Sequence, residues 1–214
     1  MSTHPLPVAW AMSRSGIRID LVRPTPAMID FRDVAVSLAR MPRWCGHTLD
    51  PIGHPPLSIA QHSIMVSDLA FRRAAVEQPG NVHAAGLWGL LHDAHEYVFA
   101  DESRPKQRAM AIIADEVGPG RGAIVAEAML TIRNRMDAAI AARAGLPWPL
   151  PPGVTAIVRE ADDTLLATEA RDLMHRGVPC AATPLPDPIG EPLTPLAASS
   201  LFLARLRTYA PNAL

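Results

Sequence analysis

The chain has 214 residues, 49% of them hydrophobic and 19% charged, which is ample for the core of one domain. Its net charge of −1 and pI of about 6.7 exclude a partner of polymeric nucleic acid bound through bulk positive charge. No apolar run reaches the ~18 residues of a membrane span, "MSTHPLPVAW" lacks the order of a signal peptide, and Cys45 and Cys180 make no disulfide framework, so a reduced, cytoplasmic setting without a membrane partner is expected.

The first element expected is a small β-hairpin over residues 8–23. Ile17, Ile19 and Leu21 alternate with Arg18, Asp20 and Val22, and "SRSG" supplies the turn. Asp30 reads as the N-cap of a short helix, "FRDVAVSLAR", with Asp33 near the positive end of its dipole. Pro42 ends that helix, and "PRWCGHTLDPIGHPP" is a loop. Ser58 caps a helix over about 58–77, and "PGN" separates it from a second long helix over about 82–99.

Helices are expected next over 103–117, with a proline near its start, and over about 121–144. "AGLPWPLPPG" is a loop, because four prolines in six positions remove donors and fix φ. A helix over about 154–175 follows. Residues 177–195 carry six prolines and read as an extended excursion over the surface. Ser199 to Tyr209 is expected to form a terminal helix. Few aromatics, at 5%, favour helix over sheet. The expectation is one all-α domain with an N-terminal hairpin.

The chemistry-bearing stretch is "GLWGLLHDAHEYVFADE", residues 86–102. Its apolar half anchors a helix, and His92, Asp93, His95 and Glu96 crowd its end. An imidazole beside a carboxylate suits a divalent ion such as Mn, Fe, Co, Zn or Ni, provided neighbouring helices complete the set. In "SIAQHSIMVSDLA", His62 lies three residues from both Ile59 and Met65, on the buried stripe. In "VREADDTLLATEARDL", Val158, Asp162, Leu165 and Glu169 share one face and Asp163 turns about 100° off it. A core histidine and a salt-bridged Asp162 are the plainer readings. An inward carboxylate does need some partner, whether an Arg or an ion.

The pattern His62, His92–Asp93, Asp162 resembles that of the HD-domain superfamily of metal-dependent phosphohydrolases. The text "RWCGHT", "SIAQHSIMVSDLA", "LLHDAHEYVFADESRPKQ" and "VREADDTLLATEARDLM" is similar to the branch of bacterial 5′-deoxynucleotidases and phage-type dNTP (dATP) triphosphohydrolases. The similarity runs from about Ile19 to Met174. It implies an HD-type helical bundle in which His62, His92, Asp93 and Asp162 bind one divalent ion, Mg included among the candidates. A second ion could enter with the substrate. It implies further that Glu96 and Asp101 handle protons. Arg43, Trp44, His47 and Lys106 would bind substrate. Ala100 stands where the family's "GD.P.P.K" stretch has glycine, which puts sugar contacts in doubt.

The implied function is hydrolysis of a nucleotide, expected to be a 2′-deoxynucleotide, by attack of a metal-bound water on the α-phosphorus. Release of triphosphate from a dNTP is the alternative within that class. A non-catalytic nucleotide sensor is the alternative outside it. By analogy with such relatives the chain is expected to self-associate.

Overall fold

A computed structural model describes residues 9–49, 53–101, 103–175 and 178–214. Val8, Asp50 to Ile52, Glu102 and Gly177, which fall within the expected elements, lie outside the described residues. Among the described residues the fold is all-α apart from one two-stranded antiparallel hairpin. Strands β1 (Trp10–Met12) and β2 (Arg18–Asp20) pair Ala11 with Ile19, and the turn falls on "SRSG". Ile19 points into the core and is fully buried. Asp33 accepts hydrogen bonds from the backbone N–H and the hydroxyl of Ser15, which ties the turn to the first helix.

Among the described residues eight α-helices follow: α1 (Phe31–Leu38), α2 (Ile59–Glu77), α3 (Val82–Leu91), α4 (Glu96–Phe99), α5 (Arg104–Val117), α6 (Arg121–Arg143), α7 (Pro152–Leu173) and α8 (Pro195–Tyr209). The expected caps hold. Asp30 accepts from the Arg32 N–H, and Ser58 accepts from the Gln61 N–H. α3 is the central rod, packed against α2, α7 and α8. α2 and α3 approach closely at Gly89, where a β-carbon would lie 2.9 Å from the Ser67 Cα. Among the described residues no helix is long and apolar enough to cross a membrane.

Three elements differ from expectation. α7 starts at Pro152 and α8 at Pro195, each earlier than expected. A proline at the first helical position needs no N–H and already has a helical φ, and Thr194 caps α8 by accepting from Ala197. The helix expected over 82–99 is split. After Leu91 the hydrogen bonds shorten to three-residue spacing, Ala94 to Leu91 and Glu96 to Asp93. This tighter winding brings residues three apart into line.

The proline-rich segment does more than cross the surface. Its backbone is stitched to side chains of α2 and α7. Leu185 N–H donates to the Thr168 hydroxyl and Ile189 N–H to Asp172. Leu193 N–H donates to the Gln61 side-chain oxygen, while the Gln61 amide donates to the Glu191 carbonyl. The strap therefore spans the two helices that carry His62 and Asp162. Gln61→Ala leaves two backbone groups unpaired in a half-buried place, at a cost of about 1–3 kcal/mol. Thermal denaturation should show Tm falling by several degrees; an unchanged Tm would mean water replaces the amide at no cost.

Candidate metal centre

The site is built where α2, the end of α3 and α7 meet. His62 is fully buried on the second turn of α2. His92 and Asp93 follow the last turn of α3, and Asp162 lies mid-way along α7. A short antiparallel bridge, Pro42 to Ser58, pins residues 41–43 against the start of α2. It sets Arg43 beside the same point through Arg43 N–H to the Leu57 carbonyl.

The two imidazoles are oriented in the same way. Nδ1 of His62 is bonded to Glu169 Oε1, and Nδ1 of His92 to the Gly89 carbonyl. Both Nδ1 atoms must donate, because a carboxylate and a carbonyl only accept. Each Nε2 is then an unprotonated lone pair in the neutral ring. Both Nε2 atoms are buried without a hydrogen-bond partner. His62 Nε2 lies 3.1 Å from Asp162 Oδ1 and 3.8 Å from Asp93 Oδ2; His92 Nε2 lies 3.2 Å from Asp93 Oδ2 and 3.8 Å from Asp162 Oδ1.

Two ligand atoms each about 2.1 Å from one ion are separated by about 3.0 Å at a right angle and about 3.4 Å at a tetrahedral angle. The separations of 3.1 and 3.2 Å fall within that range, and the two of 3.8 Å are wider than a tetrahedral angle gives. His62, His92 and Asp93 form a group that could hold a metal ion, and Asp162 faces both histidines. The donor set fits a divalent ion: two orphaned imidazole lone pairs and two carboxylates.

The electrostatics agree with this set. Burial raises the carboxyls of Asp93 and Asp162, yet the adjacent imidazoles outweigh it and hold both well below the usual carboxylate range. Burial and Arg43 act to lower His62, but Glu169 and Asp162 raise it on balance. Asp93 and Asp162 likewise raise His92 well above the ordinary value despite burial. Without a metal, the imidazoles serve as the cations that the carboxylates require.

Glu96 is buried, and its Oε2 has no hydrogen-bond partner. Burial, then Asp93 and Asp101, push its carboxyl up to about 9. The tightened turn brings it beside Asp93 and His95, whose ligand atoms with Asp93 and Glu96 form a second close group. His95 is mostly buried and bonded through Nδ1 to Asp137 of α6, at 3.0 Å. Asp101 is half-buried, and burial raises its carboxyl.

Arg43 is mostly buried. Its Nε donates to Glu169 Oε2 at 3.2 Å, and its Nη1 lies 3.6 Å from Asp93 Oδ2. Trp44 Nε1 donates to the same Glu169 oxygen at 2.9 Å. Trp44 and Cys45 both adopt positive φ, 57° and 53°, which folds the loop back toward α7. His47 is exposed at the end of this turn, with its backbone N–H on the Trp44 carbonyl. Lys106 is exposed on the first turn of α5. Asp163 is turned outward to Arg104, at 3.7 Å.

Two site residues escaped assignment from sequence. Glu169 lay on the Asp162 stripe, two turns on, and that register was its signal. Asp137 gave no signal at all, since 42 positions separate it from His95.

Ala100 has φ 61° and ψ 169°, a region essentially reserved for glycine and costing other residues about 1–3 kcal/mol. It closes the site helix at the position where glycine was noted in the resembling stretch. Ala100→Gly relieves the strain but frees the unfolded chain, for a net gain of about 1 kcal/mol. The expected readout is a Tm rise of about 2–4 °C; a lower Tm would contradict the strain.

No known family profile matches the chain. Over 165 residues it is 35% identical to the uncharacterized protein RCAP_rcc00048 of Rhodobacter capsulatus, covering 77% of this chain and 73% of that protein. The chain belongs to the RCAP_rcc00048 family. It is also 30% identical over 145 residues to the uncharacterized protein YfdR of Escherichia coli K12, covering 68% of this chain and 61% of YfdR.

Proposed function

We propose that this member of the RCAP_rcc00048 family is an HD-type metal-dependent phosphohydrolase that removes phosphate from nucleotides, with 2′-deoxynucleoside monophosphates as the substrate class. The observation that carries the reading is the convergence of two anchored imidazoles, each with a buried, orphaned Nε2, on the carboxylates of Asp93 and Asp162. Two nitrogen donors favour a first-row transition ion over Mg. Such an ion, when bound, lowers the pKa of water and polarises a phosphoryl oxygen.

The chain's own residues supply the rest. Arg43 is held by Glu169 beside Asp93, where its remaining guanidinium N–H groups can take phosphoryl oxygens. Glu96, buried at the edge of the metal ligands and raised toward 9, is protonated at neutral pH and gives its proton to the leaving alkoxide. Asp101 stands by as a second proton carrier. Trp44, engaged through its N–H by Glu169, offers its ring as a wall for the sugar.

A monophosphate is favoured over a dNTP because the further cations are exposed to solvent or already paired. Arg104 is three-quarters exposed and paired with Asp163, and His47 and Arg108 are exposed. The presence of Glu96 beside a complete ligand set speaks for turnover rather than sensing. Ile112, Ile113, Val117 and Ile124 are exposed along α5 and α6 and offer apolar surface for self-association.

The test is a panel of dNMPs, NMPs and dNTPs incubated with the metal-loaded protein, with products resolved as phosphate, diphosphate and triphosphate. Phosphate from dNMPs is expected. Triphosphate from dNTPs would replace the nucleotidase reading with the alternative, and binding without any product would indicate a sensor.

A further inference from the structure

Glu169 has no place in the proton or phosphate chemistry, yet it is among the most deeply buried charged groups of the chain, with no exposed surface. It has two oxygens and three donors. Oε1 takes the Nδ1 proton of His62, while Oε2 takes both Trp44 Nε1–H and Arg43 Nε–H. Three donors on its two oxygens, one of them the Arg43 guanidinium, are what an ionised carboxylate accepts. A buried carboxylate is costly unless every lone pair has a use. Here one oxygen faces the proposed metal ligand and the other faces the proposed phosphate clamp.

We infer that Glu169 is a positioning residue that sets both halves of the site: it fixes the His62 tautomer so that Nε2 is free for an ion, and it aims Arg43 and Trp44 at the substrate. The inference rests on the metal-centre reading above. Ligating histidines generally depend on such a partner for ring orientation. This carboxylate carries a second task, because Arg43 sits between it and Asp93. Arg43 Nη1 is already 3.6 Å from Asp93, and without Glu169 the guanidinium is free to close on that carboxylate and compete with the ion. Glutamine cannot substitute. Its NH2 group would face a donor on one side, since all three partners donate.

The experiment uses Zn(II) and inorganic phosphate as probes on the full chain. Glu169→Gln should weaken Zn(II) binding about 10–100-fold. At saturating Zn(II) it should also weaken phosphate binding roughly tenfold, the scale of one charge-assisted hydrogen bond. Thr168→Ala is the structural control. Thr168 is buried next to Glu169 and bonded to Leu185, so the variant should lose stability yet keep Zn(II) affinity within about threefold.

A Glu169→Gln protein that binds Zn(II) like wild type overturns the inference. Weakened Zn(II) with unchanged phosphate affinity overturns its second half. If Glu169→Gln does not fold, Zn(II)-loaded wild type still decides the tautomer. NMR should find a hydrogen-bonded, slowly exchanging Nδ1 proton on His62, and its absence counts against the inference. Wild-type protein that takes up no ion overturns the metal-centre reading as well; wild-type uptake with an unaffected Gln variant overturns this inference alone.

Discussion

Asp162→Ala should lose the metal ion, with affinity falling more than about 100-fold, beyond what loss of an orienting partner costs. Activity should fall to background with it. Asp163→Ala should change neither by more than a few-fold. The two aspartates are neighbours in sequence, but their environments differ. Asp162 Oδ1 is 3.1 Å from His62 Nε2, and the imidazoles hold its carboxyl strongly ionised. Asp163 is half-exposed and pairs with Arg104, an exposed pair of the kind worth little. Metal content and turnover of the two folded variants check this. Equal losses would mean that the α7 register assigned to the site is wrong.

Glu96→Ala should keep the ion and bind nucleotide with KM little changed, while kcat drops by roughly 10²–10⁴. Loss of the ion would make Glu96 a ligand and leave Asp101 as the better proton carrier. A second readout uses the metal-free protein. In the unfolded chain the Glu96 carboxyl ionises near its ordinary value of 4.5; in the folded chain it stays protonated to about 9. Between those values the native state holds one more proton than the unfolded state, so this group lowers stability as pH rises. Glu96→Gln should therefore stabilise the metal-free protein, negligibly below pH 4.5 and most at pH 9 and above. A Tm difference that does not grow with pH would contradict the buried neutral acid.

The sequence shows the site's skeleton because helical periodicity reports which face a residue occupies. His62 on the Ile59–Met65 stripe and Asp162 on the Val158–Leu165 stripe both prove to be inward, on helices that meet. Periodicity cannot report partners. Glu169 was visible on the Asp162 face, but its three donors come from residues more than 100 positions away. The split of the 82–99 helix is invisible for another reason. "LLHDAHEYVF" contains no glycine or proline to mark a break. The strap over 185–193 was hidden by its prolines, which signal extension but not what the remaining N–H groups bind. Thr194–Pro195 was a legible helix start absorbed into that segment.

Crystals soaked in Mn(II) and measured for anomalous scattering locate the ion. A single strong peak is expected about 2.0–2.3 Å from His62 Nε2, His92 Nε2, Asp93 and Asp162. A peak elsewhere, or one from which Asp162 or His62 is absent, would mean that these four residues are not the ligand set.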